Sequence, residues 1–308
     1  MKTTKIINRT EICKKIKIWS KLNLLFFFCR LSLVSIMLTI LASAYTPFQL
    51  SATPHVEAAL VSEVESIQPG KPFALALRLK MEEQWHTYWR NPGDAGLATS
   101  VKWQLPEGFQ ASPIQWPYPH KFGEVPVISF GYDKEVLLIS ELQPPPSLKP
   151  GTSISLAISA NWLVCKEECL PGRGEWKLTL LVKEETPKLN ANWADRFAAM
   201  RAKLPISSSE WKISTKLASE SVVIGISPPS SFPGTLNEVL FFPYEAGIVD
   251  YSCEQKLSKE GSQYILEMKK SPFFNKPPAR LRGILYLPQG WRGNGSARAL
   301  EVDVPFSN

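Results

Sequence analysis

The sequence predicts an all-β protein: two β-sandwich domains joined by a short helix and preceded by an export signal. Three observations carry that expectation. Apolar residues alternate with polar or small ones in many short runs, prolines and glycines punctuate those runs, and a basic then apolar stretch opens the chain. With 308 residues, the chain is long enough for two domains that each bury a core.

The opening stretch explains the charge. Residues 1–44 hold eight of the 35 basic residues but a single one of the 28 acidic ones, Glu11. The net charge of +7 therefore belongs to that segment, and the remainder is formally neutral. A neutral body gives no reason to expect nucleic acid as a partner. The basic stretch ends at Arg30, an apolar run follows from Leu31 to Leu41, and Ala42-Ser43-Ala44 offers the small residues of a cleavage site. The competing reading is an uncleaved inner-membrane anchor over Leu24–Ala44. Arg30 inside that span would cost roughly 2.5–3.5 kcal/mol at the bilayer centre, which favours cleavage. Export places the remaining chain in a compartment where disulfides persist.

Strands are read from period-two alternation: Leu75, Leu77 and Leu79; Ile154, Leu156 and Ile158; Leu178 and Leu180; Val222, Ile224 and Ile226; Val302 and Val304. Turn signals such as Pro69-Gly70, Pro92-Gly93, Pro150-Gly151 and Pro288-Gln289-Gly290 separate them, the pattern of β-sandwiches. One helix is expected. Asn192 caps it, Trp193, Phe197, Met200 and Leu204 form its apolar stripe, and Pro205 ends it. The expected organisation is a first sandwich over 53–187, a helical connector over 188–206 and a second sandwich over 207–306.

Cleavage would leave three of the five cysteines: Cys165, Cys169 and Cys253. Cys165 ends the strand-like run Ala160–Val164, and Cys169 precedes the second run Glu175–Leu180. A three-residue spacer at the mouth of a hairpin can bring two Cα atoms within the roughly 4.4–6.8 Å that a disulfide requires. A loop this short gains little from crosslinking, so a purely structural purpose is a poor explanation. Exchange chemistry explains it better, because it needs an accessible sulfur and a second thiol nearby to resolve the mixed disulfide. A structural disulfide and a soft Cu(I) site that recruits His55, His86 or His120 remain open alternatives at this point. Zinc is disfavoured, since no second cysteine pair or His-x-x-x-His spacing completes a tetrahedron. No metal or other cofactor is expected, and no Ser/His/Asp set, phosphate loop or paired-carboxylate pocket supports hydrolase or nucleotide chemistry.

Around these cysteines the chain resembles the N-terminal periplasmic domain of the thiol:disulfide interchange protein DsbD, in particular its ScsB-like branch. The resemblance rests on Trp85–Leu97 (WHTYWRNPGDAGL), Trp103–Phe109, Ile114–Pro117, Phe130-Gly131-Tyr132 and Trp162–Pro171 (WLVCKEECLP). The second domain resembles the additional β-domain of that branch more weakly, through Phe241-Phe242-Pro243 and Val302–Pro305. The resemblance implies immunoglobulin-like sandwiches and a redox disulfide between Cys165 and Cys169. It assigns the mixed disulfide to Cys169 and its resolution to Cys165. A phenylalanine-bearing loop shields the disulfide in this family, and His120-Lys121-Phe122-Gly123 is the matching segment, with Phe122 as the cap. His86 and Tyr88 match the aromatic residues beneath the pair. The implied partners are a membrane electron donor of the DsbD type, thioredoxin-like proteins and disulfide-bearing substrates of the periplasm. The family's membrane region and thioredoxin-like domain do not follow before Asn308, so the donor is expected on a separate polypeptide, or the chain is a piece of a longer one.

Overall fold

The computed structural model describes residues 49–51 and 53–306. The expected export signal at 1–44, and with it the alternative of an anchor, lies outside the described residues. Among the described residues no helix is long and apolar enough to cross a membrane.

The first half forms twelve strands: β1 (Gln49–Ser51), β2 (Val56–Ser62), β3 (Ser66–Ile67), β4 (Phe73–Met81), β5 (His86–Gly93), β6 (Ser100–Gln104), β7 (Gln110–Ala111), β8 (His120–Glu124), β9 (Val127–Asp133), β10 (Glu135–Gln143), β11 (Ser153–Cys165) and β12 (Cys169–Val182). One sheet runs β1-β12-β11-β5-β9-β8, with β3 beside β12 and β6 beside β11. The other runs β2-β4-β10-β7. Alternation in sequence becomes a shared core: Leu75, Leu77, Leu79 and Leu138 from one sheet, and Phe130, Leu156, Ile158 and Val164 from the other, are all nearly inaccessible. Each such side chain contributes roughly 1.5–3 kcal/mol on burial.

Alternation understates the burial of β4 and β10. Ala74, Ala76, Leu137 and Ile139, on their opposite face, are buried as well. The cause is helix α1 (Ala194–Arg201), which packs on β10 and buries Phe197 and Met200. Arg78 anchors this layer by donating to Glu57 and Glu135, each at 2.6 Å, and Arg196 of the helix reaches Glu135 at 3.2 Å. Arg201 pairs with Glu63. The segment expected as a helical connector also covers the outer face of a sheet.

The expected cap at Asn192 is corrected. The helix starts at Ala194, and Trp193 occupies the cap position without a side-chain hydrogen bond. Asn190 starts the turn instead: its side-chain oxygen accepts from the Asn192 N–H at 3.1 Å, and its carbonyl accepts from the N–H groups of Trp193 and Ala194, each at 2.9 Å. Leu204 lies beyond the helix, in the turn that follows it.

The second half adds β13 (Lys212–Leu217), β14 (Ser221–Ser227), β15 (Leu240–Pro243), β16 (Lys256–Glu260), β17 (Gln263–Lys269), β18 (Arg280–Tyr286) and β19 (Ala299–Pro305). They form one sheet in the order β13-β14-β17-β16 and another in the order β15-β18-β19. Val222, Ile224 and Ile226 are fully buried, as their spacing predicts. The described residues of both halves fall within one compact unit. Aromatic contacts join the two sheet pairs: Phe130 meets Phe242 and Tyr251 edge-on, with ring centroids 5.1 and 4.8 Å apart, and Tyr118 meets Tyr286 at 4.9 Å.

Candidate thiol–disulfide site

β11 and β12 form a long antiparallel hairpin whose register runs from Ser153 opposite Leu181 to Cys165 opposite Cys169. Lys166, Glu167 and Glu168 make the turn, closed by the Lys166 N–H donating to the Glu168 carbonyl at 3.1 Å. Cys165 and Cys169 are bonded, with Cα atoms 4.2 Å apart. This is closer than the expected range because the two residues face each other directly across the ladder, where antiparallel pairs approach to about 4.5 Å. The two sulfurs differ in surroundings. Cys165 is only 2% exposed, whereas Cys169 is exposed.

Strand β5 lies on the other side of β11, with His86 opposite Cys165 and Thr87 opposite Val164. The buried Tyr88 hydroxyl donates to Cys165 Sγ at 2.8 Å and stands 3.6 Å from Cys169 Sγ. Burial pushes the Tyr88 phenol above its usual pKa, so it stays a proton-bearing donor. His86 sits beside it, ring centroids 5.3 Å apart and nearly perpendicular. Burial holds the His86 imidazole below its ordinary pKa, and nearby Asp133 offsets only part of that. The ring is therefore uncharged at neutral pH and places no cation beside the sulfurs.

Phe122 lies flat on His86, with ring centroids 4.5 Å apart and planes 6° from parallel. The segment read as a cap loop is in fact strand β8, the edge of its sheet, paired with β9 through Phe122 opposite Ser129. Phe122 lines two adjoining clefts, one shared with Trp85 and Asp133, the other with His120 and Tyr132.

The remaining sequence candidates are elsewhere. His55 bonds Glu82 at 2.7 Å and stacks on Trp85, and His120 meets Tyr118 edge-on. Cys253 is free and donates to Asp250 at 3.3 Å in the second sheet pair. Among the described residues no three His, Cys, Asp or Glu side chains gather as metal ligands.

Sequence reasoning passed over Gly96. A Cβ built there would fall 2.1 Å from Tyr88 Cε1, and the residue has φ +104°, a conformation that side chains rarely adopt. Gly96 thus leaves the space in which the phenol reaches Cys165. The Gly-Asp-Ala-Gly run was its only signal. Gly96→Ala is expected to cost about 1–3 kcal/mol through overpacking and backbone strain, read by urea unfolding. It should also slow reduction of the disulfide, because Tyr88 is displaced.

An exposed sulfur bonded to a buried one that accepts a phenol hydrogen bond, on an immunoglobulin-like β-sandwich, defines a thiol–disulfide exchange domain. Residues 55–181 match the family model of the thiol:disulfide interchange protein DsbD, N-terminal. The N-terminal periplasmic domain of ScsB from Proteus mirabilis is similar in structure, with TM-score 0.56 and 15% identity over 83% of this chain and 95% of that one. Spo0M, a sporulation control protein from Bacillus subtilis, aligns over 82% of this chain and 91% of its own at 8% identity, but a TM-score of 0.22 is too low to define a shared fold. No curated protein sequence matches the chain.

Proposed function

We propose that the protein is a periplasmic thiol–disulfide relay, with its exchange site in a sandwich over 53–187. It takes an electron pair from a thioredoxin-like dithiol, itself served by a membrane donor of the DsbD type, and passes that pair to disulfides of periplasmic proteins. The observation that carries this reading is the asymmetry of the pair: Cys169 is open to attack, and Cys165 is buried under the Tyr88 hydroxyl.

The chemistry balances as two exchanges. A donor thiolate attacks Cys169 Sγ, the Cys165–Cys169 bond breaks, and Cys165 leaves as a thiolate that accepts the Tyr88 hydrogen bond and then a solvent proton. The donor's second thiolate attacks the mixed disulfide, releasing an oxidised donor and a Cys165/Cys169 dithiol. Cys169 thiolate then attacks a substrate disulfide, Cys165 displaces the substrate, and the substrate leaves as a dithiol. Two electrons and two protons pass in each cycle. A hydrogen bond to a charged group contributes about 1.5–3 kcal/mol, so Tyr88 favours the departure of Cys165 by roughly tenfold or more.

Mass-mapped alkylation in a glutathione redox series tests the reading. Cys165 and Cys169 are expected to become labelled together, with a potential more oxidising than about −300 mV. A potential well below that value would identify an inert crosslink and favour a binding module with a structural disulfide.

A further inference from the structure

Strand β5 serves two places along its length. His86, Thr87 and Tyr88 pair in register with β9, and Tyr88 reaches the disulfide. The register with β9 then shifts and resumes at Gly93. The residues inside that gap are held by the second sheet pair. Trp89 meets Phe242 edge-on at 6.3 Å, and the Arg90 guanidinium lies 3.9 Å over the Tyr244 ring. Asn91, only 2% exposed, donates from Nδ2 to the Pro243 carbonyl at 2.8 Å and to the Tyr251 hydroxyl at 3.2 Å. Its Oδ1 accepts from the Gly93 N–H at 3.1 Å. Both amide ends are thus engaged, and a buried amide deprived of partners is costly, so the path of the strand here is tied to those groups.

We propose that Asn91 is a positioning residue through which the second sheet pair fixes strand β5 and, with it, the Tyr88 hydroxyl on Cys165. The inference rests on the exchange reading above. Asn91 is three residues from Tyr88, a distance of roughly 10 Å along a strand. Hydrogen bonds weaken steeply once distance or angle departs from a narrow range, so a small drift of β5 removes the donor from the leaving sulfur. The second sheet pair then influences the chemistry of a disulfide that it does not carry.

The test uses the full chain with two substitutions, Asn91→Ala and the milder Tyr251→Phe, which keeps the ring and deletes one hydroxyl. Two quantities are read: the rate constant for reduction by dithiothreitol, and the NMR signal of the Tyr88 phenol carbon. Asn91→Ala is expected to slow reduction by at least about threefold, within the twofold to thirtyfold range to which such couplings convert. Tyr251→Phe should slow it less, and the double variant should fall short of the product of the two, since both act through one contact. The Tyr88 signal should move in each variant. An unchanged or faster rate with an unmoved Tyr88 signal, even alongside lower stability in urea, overturns the proposal and leaves Asn91 as interface packing. If Asn91→Ala does not fold, Tyr251→Phe decides the matter on the same two readings. A wild-type disulfide that resists dithiothreitol would instead sink the exchange reading, an outcome distinct from variants that match an exchanging wild type.

Discussion

Cys165→Ser is expected to accumulate a covalent complex with a thioredoxin-like donor, seen as a band that disappears on reduction, whereas Cys169→Ser should trap little or none. Nucleophilic attack requires an open approach to sulfur, and only Cys169 is exposed at the tip of the hairpin. In Cys165→Ser the lone Cys169 thiolate attacks the disulfide of an oxidised thioredoxin-like partner, one partner sulfur leaves as a thiolate, and the Cys165 thiol that would resolve the complex from this side is missing. Cys165 is 2% exposed and covered by the Tyr88 hydroxyl, so a lone thiol there is poorly placed to reach another protein. Cys253→Ser should behave as wild type, because that thiol lies in the second sheet pair on Asp250. Equal trapping by both single variants would refute the division of labour, and trapping through Cys253 would move the active site to the second half of the chain.

The second large effect is expected at Phe122. Its ring stacks on His86, which faces Cys165 across the β5–β11 ladder. Removing the ring should uncover His86 and widen the approach to the pair, so Phe122→Ala should raise the rate of reduction by small thiols severalfold. Because Phe122 is half-buried on an edge strand, the stability cost should fall below the ~3–5 kcal/mol of a fully enclosed phenylalanine. Stopped-flow reduction by a monothiol and by dithiothreitol measures the first quantity, and urea unfolding the second. An unchanged rate would make Phe122 a packing residue of the sheet edge, with no part in shielding.

The all-β character was legible because burial on one face leaves a period of two, as in Val222, Ile224 and Ile226 of β14. The reading failed where a third layer intervenes. Ala74 and Ala76 look like the exposed face of β4 until α1 covers its sheet, and nothing within β4 announces that cover. The helix start was misplaced because Asn190 and Asn192 both suit a cap, and the Asn190 N–H donating to the Glu63 carbonyl at 2.8 Å ties the turn to Asn190. His120–Gly123 was matched to a loop through the family resemblance, and the pairing of β8 with β9 supplies the strand order that its five residues do not announce by alternation. Cys165 and Cys169 stood out through short-range spacing. The partners of Asn91 lie at 243 and 251, a separation that no local pattern encodes.

The position of the disulfide at the very end of the β11–β12 ladder has a mechanical meaning. The crosslink bridges four positions of sequence, and the register behind it, from Val164 opposite Leu170 back to Ser153 opposite Leu181, is carried by backbone hydrogen bonds and by buried side chains such as Trp162 and Trp176. Opening the clasp releases almost no slack, since a loop this short has little entropy to regain. The oxidised and reduced proteins can therefore share one backbone, and an electron pair can be loaded and unloaded without the scaffold having to refold on each turnover.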